Sequence, residues 1–223
     1  MTGYYEEGLA AARLIRAYEI ASPRVRRYLE AELEHLLSRI GGSDLVLDLG
    51  CGYGRTLPAL CGCARMVVGI DTSMPSLRLA AESLESVGNC GLAAMDASAL
   101  GVRPDTFDVV CCIQNGISAF HVDGRLLVRE CVSAVKPGGL VLLSSYAESF
   151  WPDRLEWFER QAEEGLIGEI DRELTGEGRI VCKDGFTATT VGNEEFLSLC
   201  EGLPVTVETV EVDGSSLFCE IRK

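Results

Sequence analysis

Three closely spaced glycines are the residues in this chain whose spacing most clearly predicts chemistry. The segment LVLDLGCGYGRTLPAL, residues 45–60, carries Asp48 near the end of an apolar run and then Gly50, Gly52 and Gly54. Glycine has no Cβ, so the backbone there can approach a ligand closely, and the N–H groups of a following helix can bind its anionic end. The third glycine comes one position earlier than in the G-x-G-x-x-G pattern of dinucleotide sites. The spacing therefore favours a nucleotide-like ligand without a pyrophosphate.

A second acid follows at the distance expected for a ribose contact. Asp71 ends the apolar run MVVGID, 17 residues after Gly54. Nucleotide-binding α/β folds place an acid about 20 residues beyond the glycines, where it accepts hydrogen bonds from ribose hydroxyls. The alternative is a helix N-cap, but Ser73 already suits that role.

Five motifs in order resemble one family, the class I S-adenosylmethionine-dependent methyltransferases that act on small molecules. DLGCGYG, VVGIDTS, MDASAL, FDVV and KPGG carry the resemblance, which covers residues 44 to about 146. Each motif alone is weak, whereas all five in this order are specific. The resemblance implies S-adenosylmethionine as the cofactor, S-adenosylhomocysteine as its product, and cofactor-binding residues Asp48, Gly50, Cys51, Gly52, Gly54, Asp71, Thr72, Ser73, Met74, Asp96, Ala97, Ile113 and Gln114.

The resemblance also implies roles for individual residues. Asp48 would lie near the ligand's amino group, and Asp96 would accept from the adenine amino group while the small Ala97 leaves room. Met74 would offer a polarizable surface to the ring. Asp96 has a simpler alternative as a turn residue.

The motifs indicate fewer residues for the acceptor than for the cofactor. Gln114, Asn115, His121 and Tyr146 follow the fourth and fifth predicted strands, so they are candidate substrate contacts. His121 is also a candidate catalytic base, with a plain helix-start role as the alternative. Tyr18 resembles the aromatic lid residue of the family, although it could equally cover the core.

Composition excludes several classes of function. The net charge of -14 and pI of about 4.6 argue against nucleic acid and anionic membranes as partners. The cluster Arg24, Arg26 and Arg27 is better explained as a solvated helix face than as a phosphate site, and His35 as a solvated or helix-packed residue. The ten cysteines lack metal-ligand spacing, so we expect mostly buried thiols and no metal site. We expect a cytoplasmic monomer or homodimer acting on a small molecule.

Alternating strand and helix signals predict an α/β Rossmann-like doubly wound sheet, mostly parallel, with an antiparallel edge strand and helices on both faces. Residues 1–40 are interpreted as a helical lid split at Ser22-Pro23, and residues 41–223 as the core domain. A late β-hairpin insertion is predicted at about 165–192, turning at Asp184-Gly185, and KPGG is predicted to be a turn.

Three other functions remain open at this level. The acceptor could be a protein side chain instead of a small molecule. The chain could be a cofactor-binding regulatory or partner subunit without activity, but the intact glycines and both acids argue against decay. A nicotinamide-dependent reductase is disfavoured by the early third glycine.

Overall fold

A seven-stranded sheet organises the chain. The computed structural model describes residues 12–223, so Tyr4, Tyr5 and the first part of the predicted lid lie outside the described residues. The strand order is β3-β2-β1-β4-β5-β9-β8. The strands are β1 Leu45–Leu49, β2 Met66–Asp71, β3 Cys90–Ala94, β4 Phe107–Cys112, β5 Val135–Tyr146, β8 Thr206–Val212 and β9 Ser216–Arg222.

The predicted fold class is confirmed. Strands β1 to β5 pair in parallel, and β9 pairs antiparallel with both β5 and β8. The strand that runs against the others is therefore β9, one place inside the edge, and β8 forms the edge itself. Strand order reverses between β1 and β4, which is where open α/β sheets bind their ligands.

Capping residues set several helix starts. Ser22 Oγ accepts from Val25 N, and Ser73 Oγ accepts from Ser76 N, each at 3.3 Å, as their sequence context predicts. Asp123 caps a further helix through Leu126 N. The helices are α1 Ala12–Glu19, α2 Pro23–Ser38, α3 Leu57–Cys63, α4 Met74–Ser83, α5 Gly116–Ala119, α6 Gly124–Ala134, α7 Trp151–Glu163 and α8 Asn193–Leu199, with a 3₁₀ turn at Glu148–Phe150.

Alternation along the buried strands divides the core between the two sheet faces. Leu47 and Val110 pack in a cluster with Leu127 of α6 and Phe196 of α8. Their neighbours in the strands pack on the opposite side, with Leu36 of α2, Leu60 of α3 and Leu77 of α4. Helices thus cover both faces of the sheet. A ligand can therefore reach the sheet at the carboxyl ends of the parallel strands.

The KPGG prediction is wrong in detail. Helix α6 ends at Ala134, and residues 136–139 belong to β5, where the pairing with β4 shifts register between Phe107 and Val109. Gly138 has a φ of +80° and donates to Lys223 O at 2.7 Å, so the motif is a bulge held by the chain's last residue.

Two short strands, β6 Ile180–Val181 and β7 Thr187–Ala188, pair antiparallel within the late segment. Gly185 between them has a φ of +95°, and Asp184 Oδ1 accepts from Phe186 N at 3.0 Å. Over residues 12–223, no helix has the length and apolar character that a membrane crossing requires.

Candidate cofactor and acceptor site

A cavity of about 440 Å³ lies at the carboxyl ends of β1 and β4, at the switch point of the sheet. This volume is within the usual range for small-molecule sites. Twelve of the site residues expected from sequence line it: Tyr18, Asp48, Gly50, Cys51, Gly52, Asp71, Thr72, Asp96, Ala97, Ile113, Gln114 and His121.

Asp71 shapes the glycine turn. Its Oδ2 accepts from Gly52 N at 2.8 Å, and its Oδ1 accepts from Ser73 N at 2.7 Å. Gly52 has a φ of +55°, a left-handed conformation that a side chain would strain. One carboxylate therefore joins the turn after β1 to the start of α4, and Ser73 caps that helix. Asp96 forms only a local turn, accepting from Ser98 N at 2.8 Å.

Asp48 is a buried acid at the floor of the cavity. It is 3% exposed, and its oxygens accept from Thr56 Oγ1 at 3.0 Å and Cys111 Sγ at 3.5 Å. Burial raises the pKa of Asp48 to about 6, although these hydrogen bonds and the Arg55 charge oppose the rise. Thr56 precedes α3 but makes no side-chain cap there, because its hydroxyl is committed to Asp48.

Helix α1 covers the cavity. Leu14 lies above the glycine turn, where its Cδ2 is 3.3 Å from the position a Cβ on Gly52 would take. The Tyr18 hydroxyl hydrogen-bonds to the Gln114 side-chain amide, and burial raises the pKa of Tyr18 so that it stays protonated. Trp157 of α7 holds the helix by donating to Ala17 O at 2.8 Å.

The loop after β4 forms the opposite wall. Gln114, Asn115 and His121 all have positive φ values, between 53° and 59°, so the backbone here is held in an uncommon conformation. The Phe120 ring packs directly on Gly50, where a Cβ would lie 2.7 Å from it. His121 is exposed at the rim of the cavity.

Glu32 of α2 supports this loop from beneath. It is fully buried, and its Oε1 accepts from Ser144 Oγ at 2.6 Å, Ser216 Oγ at 3.0 Å and Gln114 N at 3.2 Å. Its Oε2 has no hydrogen-bond partner in the described part of the chain. Burial raises the pKa of Glu32, against the effect of these hydrogen bonds and of Arg55.

Five residues expected at the site do not line the cavity. Gly54 packs on Ala80, Ser73 caps α4, and Met74 is 48% exposed. Asn115 is buried, donates to Thr189 O at 2.8 Å and accepts from Ser145 Oγ at 2.8 Å, so both ends of its amide are used in the protein.

Tyr146 lies under the Arg154 guanidinium, 4.4 Å from the ring centroid, and packs on Tyr28 and Phe150. Burial of this ring and the committed Asn115 amide correct the expectation that these two residues face a substrate.

Sequence reasoning missed Arg55 and Glu32. Arg55 directly follows the glycine turn and lines the cavity. Glu32 lies in a charged helix whose sequence is typical of a solvent-exposed surface. Only the tertiary structure shows that its side chain is buried against Ser144 of β5 and Ser216 of β9. The position of Arg55 directly after Gly54 could have predicted that it lines the site. Nothing in the sequence around Glu32 predicts its burial.

Other predictions have clear outcomes. His35 packs on Phe218 and pairs with Glu220 at 2.8 Å, a helix-packed role. Arg24 and Arg27 pair with Asp213. All ten cysteines are free, and eight are buried.

Comparison with known proteins identifies the central segment. Residues 46–139 match the family described as "Methyltransferase domain". Ubiquinone biosynthesis O-methyltransferases from Burkholderia ambifaria and Ralstonia nicotianae are each 39% identical to this chain, over 102 and 103 residues. These matches cover 44% and 45% of this chain, but only 43% and 42% of the relatives, so the chain matches less than half of their length.

Solved structures extend the similarity to the whole fold. A Pyrococcus horikoshii protein superposes with a TM-score of 0.65 at 23% identity, covering 98% of this chain and 97% of that one. The N-methyltransferase NodS from Bradyrhizobium japonicum, solved with S-adenosyl-L-homocysteine, has a TM-score of 0.61 at 17% identity, covering 98% and 96%. Residues 46–139 are therefore similar to a methyltransferase domain, and the chain shares its fold with solved proteins that include the methyltransferase NodS.

Proposed function

We propose that the protein transfers the methyl group of S-adenosylmethionine to a small-molecule acceptor. The observation that carries this proposal is the cavity over the glycine turn, with aspartates at the ends of neighbouring strands and a helix above it. Its volume of about 440 Å³ suits a small ligand and offers little room for a folded macromolecule.

The residues present fit the cofactor. Gly50 and Gly52 leave bare backbone, and Asp71 would accept from the ribose hydroxyls with carboxylate oxygens already fixed in place. Asp96 and Ala97, which line the cavity after β3, would hold the adenine. Asp48 would face the amino group. When bound, the cofactor supplies a sulfonium methyl group that is ready for transfer.

The chain's own contribution is mainly alignment and exclusion of water. Holding the nucleophile and the methyl group in line can supply about 7–11 kcal/mol of the barrier. Leu14, Tyr18 and Phe120 cover the glycine turn, which restricts water on the reacting side. His121, at the rim, is our candidate for accepting the proton that an acceptor hydroxyl or amine loses.

Oxygen is the acceptor atom to test first. The curated relatives named above are O-methyltransferases, and their similarity to this chain includes the cofactor-binding segment. A hydroxyl needs a base such as His121 more than an amine does, because a neutral amine attacks through its lone pair, whereas a hydroxyl is a weak nucleophile until its proton is removed. A protein side chain is the competing acceptor.

The test is transfer of labelled methyl groups from S-adenosylmethionine to a cell extract that has been divided by molecular size. Label appearing in the low-mass fraction supports the proposal, and Gly52→Val should abolish that transfer. Label only in protein would replace the small-molecule acceptor with a side chain. Cofactor binding without transfer to either fraction would favour a regulatory subunit.

A further inference from the structure

Arg55 is the only Lys or Arg among the described residues that line the cavity. The acids of the cavity are Asp48, Asp71 and Asp96, and the whole chain has a net charge of -14. These acids would repel an anionic group that enters the site, and a cation there would offset that repulsion. Arg55 is half-buried directly after the glycine turn, where it can serve that purpose.

The partners of the Arg55 guanidinium are uncharged. Its central carbon lies 5.2 Å from the centroid of the Tyr18 ring. The Gln114 amide is best oriented with its oxygen toward Nη2 and Nε of Arg55, the latter at 3.1 Å, and its nitrogen toward the Tyr18 hydroxyl. Arg24 and Arg39 instead pair with Asp213 and Glu220, and within residues 12–223 Arg55 has no comparable ion pair.

The nearby buried acids Asp48 and Glu32 do not account for the position of the Arg55 guanidinium. Arg55 lowers the pKa of Asp48 and of Glu32 through its charge, but each carboxylate is already held by neutral donors. Thr56 and Cys111 bind Asp48, and Ser144 and Ser216 bind Glu32. A partly desolvated guanidinium facing an amide and a ring still has N–H donors that match an anion.

We propose that Arg55, flanked by Tyr18 and Gln114, is the anion-recognition group of the site and binds a carboxylate or phosphate of the ligand. The planar guanidinium suits either group, since it can donate two parallel hydrogen bonds. The Tyr18 ring and the Gln114 amide restrict its position, so less freedom is lost on binding.

Two sources could supply the anion, and this inference rests on the proposed function. One source is the carboxylate at the aminoacyl end of the cofactor. The other is an acidic acceptor.

The experiment compares Arg55→Gln with the exposed Arg103→Gln, which removes the same charge outside the cavity. Calorimetry measures binding of S-adenosylmethionine and of decarboxylated S-adenosylmethionine, which keeps the amino group but has no carboxylate. A second titration adds inorganic phosphate to protein saturated with S-adenosylhomocysteine. Circular dichroism checks that both variants are folded.

If the anion is the cofactor's, Arg55→Gln weakens S-adenosylmethionine about 10- to 100-fold and leaves the decarboxylated form unchanged. If it belongs to the acceptor, both cofactor forms bind normally and only phosphate binding is lost. Equal weakening of both cofactor forms, or no change in any titration, would overturn the inference. Failure of the unmodified protein to bind S-adenosylmethionine would instead overturn the proposed function.

Discussion

Asp71 holds the glycine turn with one carboxylate oxygen and the start of α4 with the other. A carboxylate can accept both backbone N–H groups and still offer lone pairs to a ligand. An asparagine there would turn an N–H₂ group toward one of those donors. The same residue therefore shapes the site and, under the proposed function, also binds the cofactor.

We expect Asp71→Asn to weaken S-adenosylhomocysteine binding about 10-fold or more, because a charged acceptor and one backbone contact are lost. Calorimetry measures the affinity. Asp96→Asn is the matched comparison at the end of the next strand, and it should lower the melting temperature less, since Asp96 makes only a local turn. Unchanged affinity in Asp71→Asn would refute the ribose assignment.

Asp48 should give the folded protein a distinctive pH dependence. Its pKa of about 6 in the folded state lies above the ordinary value of 3.8, so the folded state binds more protons between these values. Stability from this group is therefore fully present below about pH 4 and is lost as the pH rises through about 6. The difference corresponds to ~3 kcal/mol.

Urea unfolding of the unmodified protein and of Asp48→Asn, from about pH 2 to about pH 7, tests this. The free energy of unfolding of the unmodified protein should fall relative to the variant as the pH rises. Asp108→Asn is the control of opposite sign. Burial opposes the effect, but hydrogen bonds from Lys136 and Leu45 lower the pKa of Asp108, so its contribution is lost as the pH falls below about 4. A constant difference for Asp48→Asn would contradict the raised pKa.

Among the elements, α1 is the cover of the site. It is attached through the Trp157 indole to Ala17 O and through Arg13 to the carbonyls of Gly165 and Leu166. These bonds come from α7 and the residues after it, not from the sheet. The Tyr18 hydroxyl adds a bond from α1 to Gln114 in the loop after β4, so displacing α1 would break that bond but no strand pairing.

Trp157→Phe should loosen this cover. The substitution keeps an aromatic ring but leaves Ala17 O without its donor, at a cost of about 1–3 kcal/mol. We expect faster amide hydrogen exchange in residues 12–19 and faster dissociation of S-adenosylhomocysteine. Trp151→Phe, in the first turn of the same helix, should change neither quantity. Equal exchange in both variants would show that the indole bond does not hold α1.

Strands that consist of a long apolar run were predictable from sequence. The apolar runs of β1, β2, β4 and β5 are long and lie next to glycine or charged residues, so their existence followed from burial alone. Pro-Gly-Gly usually marks a turn, so KPGG predicts one. The pairing of β5 with β4 that makes this segment a bulge involves residues far away in the chain and leaves no signal in the local sequence. The short helix α5 was missed because GISA has no helical period.

Within the site, the glycine turn was easier to predict from sequence than the contacts of individual side chains. Gly52 and Asp71 are recognisable from spacing. The Asn115 amide is held by Thr189, which is 74 residues away in sequence. The Tyr146 ring is buried by Tyr28 and Arg154. Such packing leaves no local pattern in the sequence.

For the whole molecule, ligand binding should stabilise both halves of the sheet together, because the cavity lies between β1 and β4 in the middle of the strand order. At 100 times its dissociation constant, S-adenosylhomocysteine should stabilise the fold by about 2.7 kcal/mol and raise the melting temperature by about 5–11 °C. Calorimetric melting measures this shift. NAD at the same concentration should produce none, and an equal shift with NAD would favour a reductase.

The loop after β4 is supported by a segment outside the sheet: Thr189 O accepts from Asn115, and Val191 N donates to Ser145 Oγ, which itself donates to Asn115. Arg154 fastens the same stretch through the carbonyls of Gly178 and Ala188. The late segment thus supports the loop after β4, while the glycine turn and its aspartates lie on other elements. If the proposed function holds, sequence changes in this segment would therefore alter the loop after β4 and leave the glycine turn unchanged.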